Sequence, residues 1–254
     1  MGATLFAALA LTAGTLAYGV AAAQPQNCKL IRIDEWAVLP NIATPVIEGI
    51  INGHRVGVLI DTGMAAKEGA LLERALARRL GVFRIPDPNR TAGGVGGESL
   101  MEIGHIGEIQ IGQMRRRDWS VLVGGEDHGQ AGFFIIGSAF FQNHEVEFDL
   151  SRQRVRLFKS EGCRDVSLAY WTRSASEAPM QMDKWVRVQV LLNGKPVAAV
   201  LDSGATTTVI DTSVLVRIGA ESQLRTAAPG TCLRGFGKQE VRSQIGEFDS
   251  FVLG

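Results

Sequence analysis

The sequence has no surplus of charge of either sign: 26 Lys and Arg offset 26 Asp and Glu across 254 residues. A chain without a basic or acidic excess carries no electrostatic footprint for nucleic acid or another charged polymer. Histidine is scarce. Its four copies, His54, His105, His128 and His144, are scattered and form no H-E-x-x-H, so surface or strand roles are expected and no metal site. No serine lies in a G-x-S-x-G elbow and no G-x-x-x-x-G-K-[ST] loop occurs, which removes two common routes to nucleophilic and phosphate chemistry. The glycines of "GGVGGE" fall between strand-like segments and open no helix, so a dinucleotide fingerprint is absent and no cofactor is expected. Arg115, Arg116 and Arg117 read as a solvated turn between strands. Trp36, Trp119, Trp171 and Trp185 read as core or cleft-lining residues.

Charge is also missing from Ala3 to Ala23, a run ending "VAAAQPQNC". Ala21 and Ala23 satisfy the small-residue rule for signal cleavage. Residues 1–23 are therefore expected to be a signal peptide, with a mature start near Gln24 and a periplasmic or secreted destination. No Lys or Arg precedes the apolar run. The alternative is an uncleaved membrane anchor, because about 20 apolar residues can span a bilayer. Cys28 lacks the preceding residues of a lipoprotein signal. Export implies an oxidising compartment. Of three cysteines, Cys28 and Cys163 are a possible pair that would close the first half on itself. Cys232 is then left over.

What the chain does have is repetition. Asn52-Gly53, Val56, Asp61 and Gly63 recur at Asn193-Gly194, Val197, Asp202 and Gly204, and Gly94-Val95-Gly96 recurs at Gly235-Phe236-Gly237, all offset by 141. "IGEIQIG" from Ile106 is echoed from Ile245 at an offset of 139. Shared order at nearly one offset reads as a duplicated unit. The first unit is placed at 28–163, a linker with "RSASEAPMQMD" at 164–183, and the second unit at 184–254. The second lacks a counterpart of "GFFIIGSAFFQNHEVEFDLSRQRVRLF", and the expectation is a second lobe that is incomplete, with the sequence truncated at its C-terminus.

Each unit reads mostly as strands. "VIEGIINGHRVGVLID" is a hairpin around Asn-Gly. The spacing of Leu71, Leu72, Ala75, Leu76 and Leu80 predicts a helix over 69–81, stopped by Gly81. "GGVGGESLMEIGHIGEIQIG" and "EVEFDLSRQRVRLF" read as hairpins.

The repeated turns are "VLIDTG" and "AVLDSGA". Gly63 and Gly204 permit a tight turn and close approach, and the hydroxyls of Thr62 and Ser203 can bond across to a facing turn. Folded about a pseudo-twofold axis, the units would bring Asp61 and Asp202 together. Two carboxylates about 3 Å apart share a proton and titrate as a pair. One can act as general base on a water while the other polarises a carbonyl.

On these motifs the chain resembles the aspartic proteases, most closely a bacterial retropepsin-like branch with two units in one chain. The resemblance covers about Lys29–Phe158 and Lys184–Gly254. It implies an all-β, bilobal fold of two retropepsin-like β-barrel lobes with one or two short helices each. It implies an endopeptidase acting on peptide or protein substrates, with Asp61 and Asp202 as the catalytic pair. Thr62 and Ser203 would lock the turns, and Gly63 and Gly204 would be the turn glycines. Gly94, Val95 and Gly96 would sit at a flap tip, Gly235–Gly237 in a second flap-like loop, and "FIIGSAFF" beneath the catalytic loop. A monomer is expected over a dimer, and a membrane contact only through an uncleaved N-terminal segment. Met64, Lys67 and Glu68 depart from the family pattern, and the flap has no Tyr. Two other readings stay open: a non-catalytic peptide-binding envelope protein on the same fold, and a protease active only as a dimer of the first lobe.

Overall fold

The computed structural model describes residues 28–126, 132–172, 174–226 and 228–254. The segment expected to direct export, and His128, lie outside them. The chain is mostly β. Its first half holds β1 (Lys29–Ala37), β2 (Val46–Ile51), β3 (His54–Asp61), β4 (Ala70–Glu73), β5 (Arg84–Gly94), β6 (Gly97–Ile111), β7 (Met114–Gly124), β8 (Phe134–Gly137), β9 (Glu145–Asp149) and β10 (Arg154–Glu161). The second half holds β11 (Met180–Met182), β12 (Val186–Leu192), β13 (Lys195–Val200), β14 (Ala228–Leu233), β15 (Val241–Ile245) and β16 (Phe251–Val252). The α-helices are short: α1 (Arg74–Arg79), α2 (Thr212–Arg217) and α3 (Ser222–Thr226).

Six strands close a barrel. Neighbours run β2-β3-β8-β4-β7-β6, and β6 returns to pair with β2. Closure removes the exposed edges that an open sheet would present. In β3 every second residue, Val56, Val58 and Ile60, points into the core, as the two-residue period of a strand requires. The four residues of β8 are all buried, because this strand is covered on both faces. It runs parallel to β3 in a register that pairs Asp61 with Gly137. β5 extends from the barrel on β6, making the long hairpin that ends at Val95 and Gly96.

The helix expected over 69–81 is only partly present. Ala70–Glu73 is strand β4, inserted between β8 and β7, and α1 begins at Arg74. Burial of Leu71 and Leu72 in that ladder outweighs their helical spacing. The helix does end as read: Gly81 takes φ +62°. The basic run is also placed differently. Arg115–Arg117 begins β7, where Arg115 and Arg117 face Glu108 across the pair and Arg116 lies over Trp119 at 4.1 Å.

In the second half β11, β12 and β13 form a sheet, with β16 on β12. Val188, Val190, Leu192 and Val197 pack on Leu215 of α2 and on Ala220. Asp211 caps α2 by accepting from Ser213 N at 2.8 Å. β14 and β15 form a separate hairpin. The end of the linker segment is ordered as β11, an added strand of this sheet. Earlier in that segment, Tyr170 donates to Glu147 at 2.6 Å, and Trp171 stands exposed against Tyr170, outside the core.

Both Asn-Gly turns adopt positive φ at both positions, with Asn52 at 48°, Gly53 at 82°, Asn193 at 47° and Gly194 at 72°, the conformation that joins strands of native twist. Each asparagine then stitches to a later strand. Asn52 exchanges bonds with the Glu108 backbone at 2.9 and 3.0 Å, and Asn193 does the same with Ser250 at 2.9 and 3.1 Å. This geometry corrects the offset of 139. The strand pairings set Ile109 and Gln110 against the β2 end as Phe251 and Val252 are set against β12. "IQIG" therefore corresponds to "FVLG", three residues further along than the shared "IGE" suggests.

A third sheet, β1-β10-β9, flanks the barrel. At its edge Cys28 and Cys163 are disulfide-bonded, 135 residues apart in sequence. Cys232 is free and exposed.

Candidate active site

Asp61 ends β3, and Asp202 lies two residues after β13. Each carboxylate turns back onto its own loop. Asp61 Oδ1 accepts from Gly63 N at 2.9 Å and Met64 N at 3.1 Å. Asp202 Oδ1 accepts from Gly204 N at 2.9 Å. The residues between are tied crosswise. Ser203 Oγ accepts from Thr62 N at 3.0 Å and donates to Ile60 O at 2.7 Å. Thr62 Oγ1 accepts from Ser203 N at 3.0 Å and donates to Leu201 O at 2.5 Å. Each hydroxyl thus spends its donor and an acceptor site on the opposite half.

This lock sets each carboxylate against the other turn's glycine. A Cβ on Gly63 would lie 2.5–2.7 Å from the Asp202 carboxyl atoms, and one on Gly204 would lie 2.6–2.8 Å from those of Asp61. Glycine is required at both places by contact with the facing acid rather than by backbone angle.

Asp61 is half-buried and Asp202 more exposed. Burial pushes the Asp61 carboxyl up to about 7, helped by the charge of Asp202 and a hydrogen bond with it, while the Gly63 and Met64 amides oppose the rise.

Met64, the residue that departs from the family pattern, is turned away from the pair. Its side chain lies on Gly137, where a Cβ would meet Met64 Cε at 2.6 Å and Sδ at 2.8 Å. It packs among the apolar residues beneath the loop with Leu71 and Ile135. Its carbonyl accepts from Ser138 N at 3.0 Å. Thus "FIIGS" supports the Asp61 loop through the absence of a side chain at Gly137 and the amide of Ser138. Lys67 is exposed, and Glu68 pairs with Arg90 at 2.7 Å.

The two glycine loops meet. Gly237 N donates to Val95 O and Gln239 N to Gly96 O, both at 3.0 Å. The Phe236 ring enters a slot beside Gly94, Gly124 and Gly125. The hairpin tip at Gly94, Val95 and Gly96 is therefore joined to the loop at Gly235–Gly237.

Two contacts at the site carry little sequence signal. Trp185 Nε1 donates to Gly63 O at 3.1 Å, and Ser138 Oγ donates to Lys184 O at 2.7 Å. The only hint in the sequence is an aromatic residue set between Lys184 and Arg187 where the linker meets the second unit.

Comparison with known proteins follows the same division. Residues 47–143 match the family model of the gag-polyprotein aspartyl protease. Residues 188–254 match a model described as aspartyl protease. No curated protein matches the chain. Among solved structures, a retropepsin-like aspartic protease from Rickettsia conorii is 14% identical, with a TM-score of 0.33 over 53% of this chain and 95% of that one. The EIAV protease in complex with the inhibitor HBY-793 is 22% identical, with a TM-score of 0.30 over 41% of this chain and 91% of that one. The two sequence matches together span well over half of the chain, and by them it belongs to the aspartyl proteases.

Proposed function

We propose that the protein is an aspartic endopeptidase in which Asp61 and Asp202 activate a water for attack on a peptide bond. The observation that carries this reading is the mutual seating of the two carboxyls against Gly204 and Gly63. With the proton on the more buried Asp61, Asp202 is the partner left to act as base. Water attacks the carbonyl carbon as Asp202 takes one of its protons and Asp61 gives its own to the carbonyl oxygen, leaving a neutral diol. Proton transfer to the amide nitrogen then lets the C–N bond break, releasing an acid and an amine. One water is consumed and the pair regains its single proton. Neither a metal nor a covalent intermediate enters this scheme.

The substrate is an extended peptide lying between the carboxyl pair and the joined loops at Val95–Gly96 and Gly235–Gly237. An exported location fits the Cys28–Cys163 bond. Units at 28–163 and 184–254, joined by 164–183, remain the proposed division, and one chain is proposed to suffice, since both acids come from it. The test is digestion of a mixed peptide library by the full chain, with and without pepstatin. Pepstatin-sensitive cleavage supports the proposal. Peptide binding without turnover from pH 3 to 8 would favour a non-catalytic peptide-binding protein instead.

A further inference from the structure

Gly63 O and Met64 N belong to one peptide group. Its carbonyl accepts from the Trp185 indole at 3.1 Å, and its amide is shared between Asp61 Oδ1 and the Asp61 carbonyl, each at 3.1 Å. The indole, the peptide and the carboxylate are thus linked end to end. A hydrogen bond at an amide oxygen withdraws electron density and makes the N–H on the same group a better donor. The indole is itself primed for this. The Lys184 ammonium lies 4.0 Å from the ring centroid and the Arg187 guanidinium 4.9 Å. Both cations draw on the ring and strengthen its N–H.

Trp185 is held in place independently of the carboxyl pair. Asp183 accepts from Trp185 N at 2.8 Å and from Arg187 Nε at 3.1 Å. Lys184 O accepts from Ser138 Oγ. The segment 183–187 is therefore a clip fixed within the second half and anchored to the first at Ser138 and Gly63.

We propose that Trp185 is a positioning residue whose indole N–H orients and polarises the Gly63–Met64 peptide that holds Asp61. This deepens the reading of Asp61 as one of two water-activating acids, and rests on it. The link is one-sided, because Trp185 grips the turn that carries Asp61. The ionisable groups around it are Asp202 across the pair and Asp183, Lys184 and Arg187 in the clip. Lys67 is exposed, and Glu68 is engaged with Arg90.

The test is a carboxyl-carbon NMR titration of the full chain, with Asp61→Asn identifying the Asp61 signal. In Trp185→Phe the weakened Met64 amide stabilises the Asp61 anion less, and the Asp61 acid dissociation constant is expected to fall by roughly threefold. Ser138→Ala removes the clip's other anchor at Lys184 O, and a longer bond to Met64 O, while the indole bond to Gly63 O stays; it is expected to move the Asp61 midpoint much less than Trp185→Phe does. An Asp61 midpoint unchanged in Trp185→Phe, or moved equally by both variants, overturns the proposal. If Trp185→Phe does not fold, the wild-type indole proton decides. It is expected to shift with the Asp61 midpoint near pH 7, and a silent indole refutes the link. These readouts need no turnover, so they stand apart from the failure of the peptidase reading. If the enzyme turns over, the alkaline limb of its pH–rate profile moves up in Trp185→Phe with KM little changed.

Discussion

Thr62 and Ser203, 141 residues apart, each accept a hydrogen bond from the other's backbone amide, at 3.0 Å in both directions. Each hydroxyl also donates to a carbonyl of the facing half. Four bonds on two side chains join the halves at the point where the acids must meet. Thr62→Val or Ser203→Ala leaves a half-buried amide and a carbonyl without partners, at a cost of about 1–3 kcal/mol each. The two variants break different bonds, but each loosens the turn that seats the other pair, so the two losses should be less than additive. Urea unfolding of both singles and the double measures this. Additive losses would show that the crosswise lock does not act as a unit.

Asp61 also makes stability depend on pH. Its folded value near 7 lies above the ordinary 3.8, so between about pH 4 and 7 the folded chain binds a proton that the unfolded chain has released. Stability from this group is therefore full below about pH 4 and is lost as pH rises toward 7. The effect is at most about 4 kcal/mol. Asp61→Asn removes the titration, so its melting temperature relative to wild type should rise with pH across that window. A constant difference would place the Asp61 midpoint elsewhere.

Gly63→Ala and Gly204→Ala should abolish turnover with the fold retained. Each added methyl lands on the facing carboxyl and forces the acids apart. Misplacement on the order of 1 Å costs about a hundredfold or more in rate. Parallel measurement of kcat and circular dichroism checks this. Near-wild-type kcat would mean that the acids can separate without consequence.

The Cys28–Cys163 bond ties the chain entry to the end of β10. Constraining so long a loop stabilises by about 2–5 kcal/mol. Cys28→Ser with Cys163→Ser should lower the melting temperature as much as a reductant lowers that of wild type. Cys232→Ser should not, since that thiol is exposed and free.

The hairpins, the paired Asn-Gly turns and the two Asp-centred turns were legible because each rests on local chemistry: positive φ at Asn-Gly, alternation in Val56, Val58 and Ile60, and glycine after an acid. Strand β4 was not legible. Leu71 and Leu72 carry helical spacing, and only the β7 and β8 ladders, distant in sequence, decide their conformation. Repeat arithmetic likewise failed near Ile245, because strand register there is set by partners in β12 rather than by the shared "IGE". The site showed the same division. The acids and hydroxyls stood out in their motifs. The inward turn of Met64 depends on the room left by Gly137, and the grip of Trp185 depends on how the two halves pack.

The central claim is that Asp61 and Asp202 act together on one water. The most direct measurement is the cleavage rate of a peptide library near pH 5 by the full chain, by Asp61→Asn and by Asp202→Asn. The account predicts that each variant loses roughly a thousandfold or more and that the double variant loses little beyond either single. Cleavage that survives either substitution would contradict it.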